Sequence, residues 1–186
     1  MKTFDGLFDM VIGHEGYYAN VAGDKGGETY MGVARNLHPQ WPGWLIVDAY
    51  KEKVGEIEHN EEIHNSELAQ LVKEFYKHTF FDKYRIEGIH NGSLQEIIFD
   101  WCVNSDRWGS RGVQRVLNQF FDFDLKMDGI IGNQTLSAIN SCDPEPLFDA
   151  IKLARVRYYY TIAKKGQNKK FLDGWLERVD FFEFEG

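Results

Sequence analysis

Glu15 and Asp24 are the residues whose types and spacing could do chemistry. They lie nine positions apart, one where an apolar-periodic stretch ends and one in the Gly-rich segment that follows. A carboxylic acid can give a proton to a departing oxygen, while a second carboxylate holds a water or attacks carbon; cleaving an acetal linkage between sugars needs that pairing. Thr29, in the same segment, carries a hydroxyl that could help hold the water. With 29 acidic residues many pairs share this spacing. Read as structure alone, Glu15 caps a turn and Asp24 is an ordinary loop residue.

The elements around this pair must bring it together. Phe4, Leu7, Phe8, Val11 and Ile12 recur at helical spacing, which predicts an amphipathic helix over about 4–14, with Gly13 near its end. From Gly16 to Gly43 the chain is rich in Gly, Asn, Asp and Pro, which predicts a loop or small hairpin. A weaker helical pattern covers 45–58, and Glu56 to Asn65 reads as a solvated connection. Asn65 or Ser66 can cap a helix carrying Leu68, Leu71, Val72, Phe75 and Tyr76. Ser93 with Glu96 reads as a capping box opening a helix through Leu94, Ile97, Ile98, Trp101 and Cys102. Asn104 to Gly109 breaks that helix, and Val113, Val116, Leu117 and Phe120 mark the next. After the glycine turn at Asp128 to Gly132, Asn133 can cap a short helix over Thr135 to Ile139. Helical patterns return over Pro146 to about Lys164 and Gln167 to about Phe182. Seven or eight helices with little strand make the fold class mainly α. An N-terminal part, 1–90, is expected to pack against a C-terminal part, 91–186.

The longer segment around the pair is more specific than the pair itself. His14-Glu15-Gly16-Tyr17-Tyr18 continues through Asp24-Lys25-Gly26-Gly27-Glu28-Thr29-Tyr30-Met31-Gly32-Val33. It resembles the glycoside hydrolase family 108 muramidases, whose signature is a Glu-Gly-Gly-Tyr run, an Asp-Pro-Gly-Gly and a Thr-Asn-x-Gly-Ile. Tyr17, Lys25 and Tyr30 depart from that signature at its Gly, Pro and Asn. The stretch from Phe99 through Ser105, the helix to Phe121 and then Asp128-Gly129-Ile130-Ile131-Gly132-Asn133-Gln134-Thr135 resemble the peptidoglycan-binding-like domain that follows in the same family.

The resemblance implies a lysozyme-like helical fold, with a hairpin region beside an active-site cleft, acting on peptidoglycan glycan strands. It implies cleavage of the β-1,4 bond between N-acetylmuramic acid and N-acetylglucosamine, as in phage endolysins and bacterial secretion activators. Glu15 falls on the family's catalytic acid and Asp24 on its second run, with Thr29 beside it. Tyr18 and Tyr30 flank the pair and are candidates for sugar stacking. Asp100 and Asn104, four apart on one helix face, could line the cleft or anchor the helix end. Two rival readings are a lytic transglycosylase, which needs one acid/base Glu, and a non-catalytic wall-binding or secretion-associated protein.

Composition narrows the partners. A formal net charge of −8 speaks against nucleic acid, whose binding rests on Lys and Arg releasing counterions. No apolar run spans a membrane, and the N-terminus shows no signal-peptide pattern. The expectation is therefore a monomer, made in the cytoplasm, that reaches the cell wall by holin-type or other release. The six His residues show no metal-ligand spacing, and no cofactor or metal is expected. Cys102 and Cys142 lie beside apolar neighbours and read as buried free thiols.

Overall fold

In the computed structural model, residues 1–13, 15–21, 26–165 and 168–185 are described. They form eight α-helices and one small antiparallel sheet, a mainly α architecture. The chain divides into two compact units, Asp5–His78 and Thr79–Gly186, the latter with Met1–Phe4.

The smaller unit begins with α1 (Phe4–Ile12), which buries Leu7, Phe8 and Val11 at i, i+1 and i+4, one face of a 3.6-residue turn. Three two-residue strands follow: β1 (Tyr18–Ala19), β2 (Thr29–Tyr30) and β3 (Val33–Ala34), in the order β1-β2-β3. Tyr18 faces Tyr30, Ala19 faces Thr29, and Tyr30 faces Val33. The expected hairpin region is this sheet. Helix α2 (Gly43–Val54) starts two residues before the sequence pattern suggests, because Pro42 precedes it in helical φ and ψ. Helix α3 (Ser66–Tyr76) is capped as expected, the Asn65 side chain accepting from the Leu68 N–H at 2.8 Å. Its Tyr76 ring meets Phe8 edge-on, with centroids 5.5 Å apart. A π-helical turn over Lys77–Asp82 follows.

The larger unit is built on α4 (Gly92–Ser105). Nine of its residues are buried, the consecutive run Ile97–Cys102 among them, so water reaches it only in part, at Gly92, Glu96 and the last turn. The unit also holds α5 (Arg107–Phe120), α6 (Asn133–Ser141), α7 (Pro144–Ala163) and α8 (Leu172–Asp180), with α5 and α7 packed on α4, α6 on α5 and α8 on α7. Burying an apolar side chain such as Ile97 or Phe99 contributes about 1.5–3 kcal/mol. Two glycines let α5 approach closely: a Cβ at Gly109 would lie 2.6 Å from the Trp101 carbonyl oxygen, and one at Gly112 would overlap the Trp101 ring.

Three local expectations are corrected. The capping box at Ser93 does not form. Asn91 caps α4 instead, accepting from the Leu94 N–H at 3.0 Å, while Ser93 bonds the Glu185 backbone and Glu96 pairs with Lys2. Asn133 does not cap α6; it is the first helical residue, and its side-chain oxygen accepts from Arg85 at 2.6 Å. The break between α4 and α5 is one residue, Asp106 at φ +45°. Tyr84 and Lys83 hold its carboxylate at 2.5 and 2.6 Å, supporting a conformation that non-glycine residues seldom adopt. Cys102 and Cys142 are free; Cys102 is fully buried and Cys142 partly so, burial pushing both thiols up.

Candidate active site

Glu15 follows α1 by three residues and is half-buried, its N–H bonded to the Ile12 carbonyl at 3.1 Å. The strand connection beneath it is tightly specified. Met31 and Gly32 both hold positive φ, +44° and +77°, in the turn between β2 and β3. The Tyr76 hydroxyl donates to the Met31 carbonyl at 3.0 Å. A Cβ at Gly32 would fall on that hydroxyl and lie 3.3 Å from Glu15 Oε2. Glycine here leaves the space above the turn to the Tyr76 hydroxyl and the Glu15 carboxyl. Tyr17, where the family signature has glycine, does not have positive φ. Its N–H instead donates to the Asn60 side chain at 2.9 Å, so no left-handed residue is required there.

The sheet carries three of the other candidates. Thr29 is partly exposed, and its hydroxyl donates to the Ala19 carbonyl at 3.5 Å, the long end of hydrogen bonding. Tyr18 is buried and donates to Glu28 at 2.8 Å. Tyr30 is 2% exposed; its hydroxyl donates to the Ile63 carbonyl at 3.4 Å and accepts from the Ile63 N–H at 3.2 Å. Both rings therefore build the frame beside the acid and offer no open face for a sugar. Asp24 lies outside the described residues, as do His14 and Lys25.

One ionic cluster in this unit escaped the sequence reading. Glu28 is held by Lys51 and by Arg35 Nε at 2.5 Å, and Arg35 grips Asp48 with its other two nitrogens. Burial pushes the Glu28 carboxyl up, but hydrogen bonds from Lys51 and Tyr18, with the charge of Arg35, outweigh it and hold the group below the usual carboxylate range. Because Glu28 precedes Thr29, the cluster anchors the strand on which Thr29 sits. Asn60 at φ +64° is a second missed support, its N–H donating to the Tyr18 carbonyl at 2.6 Å.

Asp100 and Asn104 lie in the larger unit. Asp100 is fully buried, paired with Arg155 and with Arg178 at 2.7 and 2.9 Å. Burial would raise its carboxyl, but the two guanidinium charges outweigh that and depress it. Asn104 accepts from the Tyr159 hydroxyl at 3.0 Å, and that hydroxyl accepts from Arg155. The pair fastens α4 to α7 and α8, the anchoring alternative, and Asp100 has no surface for a ligand to touch. Among the described residues no group of three or more His, Cys, Asp or Glu could hold a metal ion, and no helix is long and apolar enough to cross a membrane.

No curated protein matches the sequence. The solved structure of SagA from Brucella abortus is similar in fold, with a TM-score of 0.66 at 20% identity, covering 95% of this chain and 89% of that one. The model described as "Predicted Peptidoglycan domain" matches residues 108–180, and that of Glycosyl hydrolase 108 matches residues 8–105, which contain Glu15, Thr29 and Gly32. The chain therefore belongs to the glycosyl hydrolase 108 family and is a peptidoglycan hydrolase.

Proposed function

We propose that the chain hydrolyses the β-1,4 bond between N-acetylmuramic acid and N-acetylglucosamine, with Glu15 as general acid and Asp24, helped by Thr29, holding the attacking water. The observation that carries this reading is the seat of Glu15. A half-buried carboxyl and a tyrosine hydroxyl share the space that a side chain at Gly32 would fill, a seat that supports a carboxyl positioned before substrate arrives. Glu15 gives its proton to the glycosidic oxygen as the bond to the anomeric carbon breaks. Water adds to that carbon and loses its proton to Asp24, and exchange with solvent returns both carboxyls to their starting states. The protein acts as a monomer on peptidoglycan strands after release across the inner membrane.

Turbidity loss of purified peptidoglycan tests the assignment. Wild type is expected to clear the suspension and Glu15→Gln to leave it unchanged, because the amide keeps the volume and removes the transferable proton. Clearing by both would move the acid elsewhere. Full activity in Asp24→Asn would remove the water-holding role. Mass spectrometry of the products distinguishes hydrolysis from a lytic transglycosylase, since only the latter leaves an anhydro sugar.

A further inference from the structure

A groove of about 810 Å³ runs between α5 and α7, and everything that lines it lies between Trp101 and Lys165. Arg111, Arg115, Arg157 and Lys165 face it, against one acid, Asp149. In a chain with 29 acidic and 21 basic side chains, that lining reverses the sign of the whole. Among the described residues none of these four cations has a carboxylate partner. Arg111 lies against the Trp108 ring at 5.2 Å, and its Nε is buried without a hydrogen-bond partner. The indole N–H of Trp101, buried in the groove wall, is likewise unpartnered. Leaving such buried donors without an acceptor costs free energy.

The walls are also apolar. Trp108, Phe120 and Leu153 each stand about half exposed along the groove, an arrangement that marks a binding surface when the side chains are contiguous. An occupant must then bring several anionic groups and small apolar side chains together. A bare glycan of N-acetylated sugars brings too few charges for four cations. The short peptide that crosses peptidoglycan brings both, since it carries free carboxylates between alanyl methyls. The peptidoglycan-domain match over residues 108–180 spans most of α5 and all of α7, the two walls.

We propose that the groove between α5 and α7 binds the carboxylate-bearing stem peptide of peptidoglycan, the guanidinium groups taking its carboxylates and the aromatic wall covering its methyls. The inference rests on the peptidoglycan-hydrolase reading and names where the peptide part of that substrate is held. Arginine suits this role, because its planar fork meets a carboxylate through two parallel hydrogen bonds.

The test is calorimetric titration of the full chain with a soluble, sugar-free stem tetrapeptide. Wild type is expected to bind it, to bind the same peptide with amidated carboxylates at least about tenfold more weakly, and to lose a similar factor in the double variant Arg111→Gln/Arg157→Gln. Near-UV circular dichroism checks that the variant is folded; should it fail to fold, the two peptides on wild type decide the matter. Equal affinity for free and amidated peptide overturns the proposal. So does absent binding by a protein that still clears peptidoglycan, or capture by phosphatidylglycerol vesicles with no affinity for the peptide. Peptide binding without any clearing would instead count against the hydrolase reading and leave the groove assignment standing.

Discussion

At Gly32 the backbone conformation and the space above it make the same demand. The positive φ costs an alanine about 1–2 kcal/mol, and the added methyl would also press on the Tyr76 hydroxyl and the Glu15 carboxyl. Gly32→Ala is therefore expected to lower stability by at least that amount and to reduce clearing far more than the melting shift explains; thermal unfolding beside turbidity loss separates the two. Clearing at the wild-type rate would mean that the seat of Glu15 is not what sets activity. The sequence made Glu15, Thr29 and Gly32 legible because they stand close together in one segment. Tyr76 was legible only as a core position on a helix, since its hydroxyl contact lies 45 residues away. Asn60 carried a faint signal, as asparagine tolerates the left-handed region better than most residues.

Among the elements, α4 is fixed to α7 and α8 through Asp100. Removing one partner from a buried ion pair leaves the other charge uncompensated, at a cost of about 3–5 kcal/mol. Asp100→Asn should shift the urea midpoint down by a corresponding amount, with Arg155, fully buried, the group left stranded; an unchanged midpoint would show that the triad adds nothing to stability. Helical periodicity found the helices because their apolar stripes are local. It misplaced the cap of α4, where Asn91 lies two residues ahead of Ser93, and it could not reveal that Ser93 binds a backbone 92 residues away. The break over Asn104 to Gly109 was legible, but not its narrowing to Asp106 alone, because Tyr84 and Lys83 stabilise that corner from outside the two helices.

Across the whole molecule, each unit holds a carboxylate that is harder to protonate folded than unfolded: Glu28, partly buried, in one and Asp100, fully buried, in the other. A depressed folded pKa stabilises the folded state above the unfolded value, and that stability is lost as pH falls through the folded one. Ordinary values of 4.5 for Glu and 3.8 for Asp put the onset near pH 4.5, with the loss continuing below 3.8. Melting temperature measured from pH 7 to pH 2 should hold steady and then drop in that window, and the drop should be shallower in Glu28→Gln and in Asp100→Asn. A slope unchanged by either substitution would assign acid unfolding to other carboxylates. The two cysteines offer a different view of the same cooperativity. Cys142 is partly accessible, whereas Cys102 sits at 0% exposure on the helix around which the larger unit is built. An alkylating reagent under native conditions will mark the first thiol sooner and reach the second only when α4 opens, so the slower labelling rate becomes a built-in clock for that opening, read by mass without adding any probe to the chain.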